Sequence, residues 1–284
     1  MGRPLAHGLA VVVLIVASFT AFFTPGHAQP SARQQGLASQ YYDPAPLDDP
    51  VVGRCELSGR LTGRFVYQEN DQISAYFEAA DLAAYRQAIP VPFAMPEKPL
   101  IRVSVIDFYD MANGPSYLEV VISVLALHEG KPGWLVLMMP VTNGDSCAGG
   151  RGAWGYPKVM RRVTLERQSG RYLGTLYAQG GRAPEFTLTL EIGDPGEAAR
   201  DVLRVVYPFP NLALKDGRVM RFGGLRQPVY ELERAAPGVW KVSLGQVRIE
   251  FPLDQEVLLH RLGVGRPIAA YWARLRYRYS ITTN

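Results

Sequence analysis

From Leu100 onward the chain carries short runs of β-branched and aromatic residues separated mostly by Gly, Pro, Asn or Asp, a pattern that predicts strand after strand. The runs are Leu100 to Phe108, Tyr117 to Leu127, Trp134 to Pro140, Val159 to Glu166, Arg171 to Ala178, Phe186 to Ile192, Val202 to Phe209, Val219 to Leu225, Val229 to Leu232 and Val239 to Phe251. Two segments read as helices instead. Ala79 to Ile89 places Leu82, Tyr85 and Ile89 at helical spacing and stops before Pro90, and Pro267 to Tyr277 closes the chain with a second helical segment. Many evenly spaced strands with few helices predict a mainly β (α+β) fold. Its expected form is a single-domain antiparallel sheet system, barrel-like or sandwich-like, with a few short flanking helices. Residues 61 to 284 contain no internal repeat and no linker, so one domain is expected there.

The first sixty residues follow other rules. Arg3 supplies a small positive region, Leu9 to Phe23 is an apolar run, and Thr24-Pro25-Gly26-His27-Ala28 ends with small residues at the −3 and −1 positions of a cleavage site. Residues 1 to 28 therefore read as a signal peptide removed after Ala28, and the protein as secreted or periplasmic. A membrane anchor is the alternative, but the apolar run is about 15 residues where a span needs about 20. No stable membrane insertion is expected once the signal is gone. Residues 29 to 60, with Asp43-Pro44-Ala45-Pro46 and Asp48-Asp49-Pro50, lack an apolar period and read as an extended arm.

Composition narrows the function. With 48% hydrophobic and 20% charged residues the chain can bury a core, which excludes long disorder. The net charge of +4 is scattered, so nucleic acid is not implied as a partner. Four His and two Cys leave no zinc-finger spacing and no HExxH, so no metal site is expected. Export would place Cys55 and Cys147 where disulfides persist, and the even count favours one bridge between them over two buried thiols.

Two candidate nucleophiles stand out. Gly144-Asp145-Ser146-Cys147-Ala148 is one residue short of a nucleophile elbow, with His128 or His260 as conceivable bases. The context argues against it, because Ser146 falls in a Gly-rich loop between expected strands and Asn143-Gly144-Asp145 is ordinary turn chemistry. Lysine is scarce, five of the 30 basic residues, and Lys158 differs from Lys98, Lys131 and Lys215. It follows Trp154-Gly155-Tyr156-Pro157 and enters a strand from an apolar, aromatic approach, whereas Lys98, Lys131 and Lys215 sit beside Pro, Gly or Asp in polar turns. Burial disfavours an ammonium, and a neutral amine is a nucleophile toward carbonyls.

Gly150-Arg151-Gly152-Ala153-Trp154-Gly155-Tyr156-Pro157-Lys158 resembles the signature of the acetoacetate decarboxylase family, in which a Gly-Arg pair precedes an aromatic-Pro-Lys whose Lys forms the Schiff base. Pro99-Leu100-Ile101-Arg102, Tyr117-Leu118-Glu119 and Met138-Met139 fall at the family's spacing, so the likeness is specific between about Pro99 and Lys158 and vaguer elsewhere in 70 to 284. The resemblance implies Lys158 as the iminium-forming residue and Glu119 as the acidic active-site group. Alternation puts Tyr117, Glu119, Val121 and Ser123 on one strand face, where an inward acid is costly unless used; an outward, solvated Glu119 is the alternative. Arg151, Met138, Met139, Tyr156 and Trp154 are implied as substrate-binding, against loop bracing for Arg151 and core packing for the methionines.

The departures matter as much. Where the family carries a second Lys, a Glu after Gly-Arg and a Glu on the Pro-Leu-x-Arg strand, this chain has Val159, Gly152 and Ser104, and the family's carboxylate-binding Arg is missing near Gln72 and Ser74. The function implied is a Schiff-base carbon–carbon lyase decarboxylating acetoacetate or a related small keto acid, with no cofactor, since the iminium is itself the electron sink. The alternatives are an aldolase-dehydratase acting on carbonyl substrates through the same Lys158, and a non-catalytic small-molecule-binding barrel. Assembly as a homo-oligomer is a further expectation from the family.

Overall fold

The computed structural model describes residues 47–58, 64–206, 209–222, 239–251 and 257–282. The expected signal at 1–28, the arm up to residue 46 and the expected strand Val229 to Leu232 lie outside them. Among the described residues the strands are β1 (Arg64–Ala79), β2 (Leu100–Met111), β3 (Tyr117–His128), β4 (Lys131–Val141), β5 (Lys158–Met160), β6 (Val163–Gln168), β7 (Arg171–Tyr177), β8 (Pro184–Ile192), β9 (Asn211–Lys215), β10 (Arg218–Phe222), β11 (Val239–Glu250) and β12 (Val264–Thr282). The helices are α1 (Leu82–Gln87), α2 (Gly144–Trp154), α3 (Glu197–Val206) and α4 (Leu258–Arg261).

All twelve strands join one sheet in the order β10-β9-β4-β3-β2-β1-β12-β11-β8-β7-β6, with β5 beside β4. Most pairs are antiparallel, as expected, but β4 pairs with β5 and with β9 in parallel. The sheet is open at β10 and β6 and curls so that β6–β8 cover one face of β1–β4. Gly174 of β7 makes this approach possible: a Cβ there would stand 2.6 Å from Val105 and 3.1 Å from Ile73. Strand alternation on β1–β4 then sorts the residues. Ile73, Ala75, Phe77, Ile101, Val103, Val105, Val120, Ile122 and Val124 face this main core, with Tyr172, Leu176, Phe186 and Leu188 opposite them. The reverse face carries buried Ser74, Ser104, Glu119 and Ser123, with buried Val121 and half-buried Arg102 among them.

Several segments fold differently from their sequence pattern. Pro267 to Tyr277 is not a helix but part of β12, hydrogen-bonded to β1 and β11. Ala269 to Ala273 are buried on both faces, which erases the two-residue period and leaves an alanine-rich run that mimics a helix. Val202 to Phe209 is not a strand; Val202–Val206 belong to α3, which buries Ala199, Leu203 and Val206 at helical spacing and pairs Arg204 with Glu197 and Asp201 outside. Val159 to Glu166 breaks into β5 and β6 at Arg161-Arg162. The first helix is shorter than expected, with Asp81 capping Ala83 and Ala84 and the Tyr85 hydroxyl anchored on the Leu125 carbonyl at 2.6 Å.

The described end of the arm packs on the body. Asp49 is buried, caps the turn at Val51 and Val52, and accepts from the Gly180 amide, while Cys55 is bonded to Cys147 of α2 across 92 residues. A crosslink over so long a loop restricts the unfolded chain by about 4 kcal/mol in the chain-entropy account. Replacing both cysteines by Ser should lower the unfolding free energy by that order in denaturant titration. An unchanged midpoint would assign the bond no stabilising role.

Candidate active site

Lys158 opens β5, and its approach is shaped by α2. Asn143 caps that helix by accepting from the Ser146 amide at 2.9 Å, and Gly155 ends it at φ 69°, a left-handed cap that glycine adopts without strain. Tyr156-Pro157 then turns the chain into β5, whose Lys158 pairs in register with Met139 of β4. The supposed loop carrying Ser146 is therefore a helix, and Asn143-Gly144-Asp145 is its start rather than a turn between strands. Asp145 holds the arm by accepting from the Ser58 amide and hydroxyl at 2.6 and 2.8 Å.

The Lys158 amine donates to Glu119 Oε2 at 2.6 Å and to Ser146 Oγ at 2.9 Å. The two charged side chains are 6% and 7% exposed, so the pair is held out of water, where breaking it by deleting one partner costs about 3–5 kcal/mol. The face of Tyr117 lies 5.4 Å from the amine. Glu119 points inward, beside Val121 on the polar face of β3, and not toward solvent. Three residues from three elements, β5, β3 and α2, thus converge on one nitrogen. The surroundings are less apolar than the approach sequence implied, since a carboxylate and a hydroxyl contact the amine directly.

The other sequence candidates divide. Arg151 donates to the Lys158 carbonyl at 3.0 Å, bracing the backbone that carries the amine. Met139 packs with Val121 and Val136 on the site face, with Tyr156 and Ile106 against them, whereas Met138 belongs to the main core. Trp154 and Tyr156 stack at 6.0 Å and both pack on Phe222 of β10, at 3.9 and 5.0 Å. Burial pushes the Tyr156 phenol well above the usual tyrosine range, and a side-chain hydrogen bond with Asn211 opposes the shift. Phe222 and Asn211 were not legible as site residues, and Ser146 was legible only as an elbow serine, set aside because a loop was expected there. For Ser146 a signal existed: it lies four residues before Gly150, so once the segment is helical both share the face turned to Lys158. Ser146 is no elbow nucleophile, because its hydroxyl accepts from Lys158 while His128 packs on Phe93 and His260 on Phe251. Among the described residues no cluster of three or more His, Cys, Asp or Glu could hold a metal, and no helix is long and apolar enough to cross a membrane.

Gly150 is required by contact with Lys158. A Cβ there would stand 2.6 Å from both Cδ and Cε of the lysine. Because the clash falls on a flexible side chain, Gly150→Ala should fold yet push the amine off Glu119 and Ser146. The expected result is a ten- to hundredfold drop in imine formation with little change in Tm, as a displacement of about 1 Å can cost about a hundredfold. Full activity in that variant would mean that the lysine position is not critical.

The family model described as acetoacetate decarboxylase matches residues 64–283. A curated acetoacetate decarboxylase of Ralstonia nicotianae is 34% identical over 96 residues, which is 34% of this chain and 38% of that protein, so the match spans well under half of the relative. The crystal structure of acetoacetate decarboxylase from Legionella pneumophila superposes with a TM-score of 0.58 at 16% identity, covering 78% of this chain and 87% of that one. The enduracididine biosynthesis enzyme MppR, complexed with the condensation product of pyruvate and imidazole 4-carboxaldehyde, superposes with a TM-score of 0.54 at 12% identity, over 80% of this chain and 92% of its own.

Proposed function

The chain belongs to the acetoacetate decarboxylase family, and from that premise we propose that it is a Schiff-base-forming lyase that decarboxylates a small keto acid through Lys158. The observation that carries the proposal is the buried contact of Lys158 with Glu119 and Ser146. An ammonium cannot attack a carbonyl, and Glu119 is the carboxylate in contact that can take its proton. The neutral amine adds to the ketone carbon, water leaves, and the protonated imine results. The bond to the carboxylate then breaks, its electron pair passes into the enamine and carbon dioxide departs. Protonation at carbon and hydrolysis return the amine and release a ketone. Ser146 and the Arg151 brace hold the nitrogen in place through these steps, and Met139, Tyr156 and Trp154 line the approach.

Reduction with borohydride in the presence of acetoacetate or another keto acid should fix the substrate skeleton on the peptide containing Lys158. Carbon dioxide release distinguishes decarboxylation from a condensation like the one whose product the MppR structure contains, for which pyruvate plus an aldehyde should yield an unsaturated adduct. Absence of both products and of any trapped peptide would favour a binding barrel. We also propose that residues 1–28 direct export to the periplasm or beyond and that the folded chain forms a homo-oligomer. The Cys55–Cys147 bond supports an oxidising compartment. N-terminal sequencing of the exported form, with Gln29 expected first, and its mass in solution test these two points.

A further inference from the structure

Arg102 is a charged residue on the site face that the proposed chemistry leaves unused. Its Nε donates to Ser123 Oγ at 3.0 Å, one Nη donates to Asn211 Oδ1 at 2.5 Å, and its guanidinium lies 4.9 Å over the Trp134 ring. All three partners are neutral, and two of the five N–H donors a guanidinium offers are taken up. Burial depresses its basicity, opposed by the phenols of Tyr76, Tyr271 and Tyr156 and, among the described residues, by no carboxylate. Two other arginines among the described residues do have acidic neighbours. Arg274 grips Asp71 with two hydrogen bonds of 2.6 and 2.8 Å, and Arg161 feels Glu185 and Asp49. Arg102 is half-buried, and a cation partly withdrawn from water with no counter-ion among the described residues is costly unless an anion is to be bound there.

Position defines that anion. In the β2–β3 ladder Arg102 faces Ser123 and Ile106 faces Glu119, so the arginine is on the same sheet face as Glu119 but four residues along, about 13 Å of strand. Tyr156 lies between, sensing the charges of both Glu119 and Arg102, and its partner Asn211 is the residue that accepts from the guanidinium. The arginine can only donate, which fixes the Asn211 amide with its oxygen toward Arg102 and its nitrogen toward Tyr156. In a β-keto acid such as acetoacetate one methylene separates carbonyl from carboxylate, which is too short to join Lys158 to Arg102.

We propose that Arg102, oriented by Asn211 and Ser123, is an anion subsite for a carboxylate several bonds removed from the reacting carbonyl, so that the substrate is a longer keto diacid: the carboxylate β to the carbonyl leaves as carbon dioxide and the remote one is retained. This rests on Lys158 as the carbonyl-binding residue, and the planar guanidinium edge suits a carboxylate's two oxygens.

The test uses the full-length protein and three probes: 6-oxoheptanoate, uncharged 2-heptanone of the same reach, and heptanoate, which has no ketone. In borohydride trapping, Arg102→Gln should raise the half-saturating concentration of 6-oxoheptanoate relative to that of 2-heptanone by about ten- to a hundredfold, the effect of one charge-assisted contact. Arg102→Lys, which keeps the charge without the fork, should restore part of the preference. Heptanoate binding by calorimetry should weaken in Arg102→Gln and persist in Lys158→Ala, so the subsite is tested even if no imine forms. A charged-to-neutral ratio unaltered in Arg102→Gln, or heptanoate binding equal in wild type and Arg102→Gln, would overturn the proposal.

Discussion

Lys158→Ala is expected to end imine formation, with no mass added to the 158 peptide on borohydride treatment and turnover reduced on the order of a thousandfold or more, as for other covalent nucleophiles. The amine has no substitute nearby. Among the described residues, the nitrogen that touches both Glu119 and Ser146 is that of Lys158. Lys215 reaches out instead to the carbonyls of Gly152 and Ala153 on the outer side of α2. Alanine also strands a buried carboxylate, so a loss of activity could be blamed on unfolding. Lys158→Arg removes that objection, since it keeps a cation beside Glu119 yet cannot lose its proton to become a nucleophile. Both variants should be inactive, while the arginine form retains more of the wild-type Tm. Trapping at any other lysine with undiminished turnover would sink the Schiff-base assignment.

What the sequence made legible follows from how much of each element faces one environment. β2, β3 and β4 were recognisable because their apolar side enters the main core, and the runs end at turn residues. β1 was not among the expected strands. Its middle, Gln68-Glu69-Asn70-Asp71-Gln72, is polar, and only the folded sheet supplies partners: Asp71 meets Arg274, Glu69 meets the Tyr109 hydroxyl and Gln72 meets the Tyr271 hydroxyl. β12 and α3 were exchanged in type, one because burial on both faces hid its period, the other because a Val-rich stretch outweighed the acidic first turn that marks a helix start.

The site divides along similar lines. Lys158 stood out by its apolar approach, Glu119 came from a resemblance specific over about sixty residues, and the fold brings those two together. Ser146 was set aside, because glycines at 144, 149, 150 and 152 disguise a helix whose start is set by one Asn cap. The departures from the family pattern also find a structural sense. Ser74 and Ser104, two of the replaced positions, hydrogen-bond to each other at 2.7 Å and stay buried. Neutral hydroxyls there satisfy one another without a charged partner, so neither position offers Arg102 an acid.

Glu119→Gln should separate proton transfer from simple positioning. The amide keeps an oxygen that can accept from the Lys158 amine, and its size is nearly unchanged, so the contact at 2.6 Å persists in outline. What disappears is a negative charge able to receive a proton. If Glu119 is the acceptor, turnover should fall about a hundredfold to ten-thousandfold, the usual contribution of a positioned acid or base. Stability should fall as well, by about 3–5 kcal/mol, because the ammonium then has no counter-ion in a site that excludes water. The two effects are separable through Ser146→Ala, which removes the second hydrogen bond but leaves the ion pair: its loss of activity should be much smaller, and its melting curve close to wild type. Denaturant titration and single-turnover trapping on the same three proteins measure both quantities. Turnover in Glu119→Gln within twofold of wild type would leave Glu119 as a structural counter-ion, and the proton would then have to leave the amine directly to water or substrate.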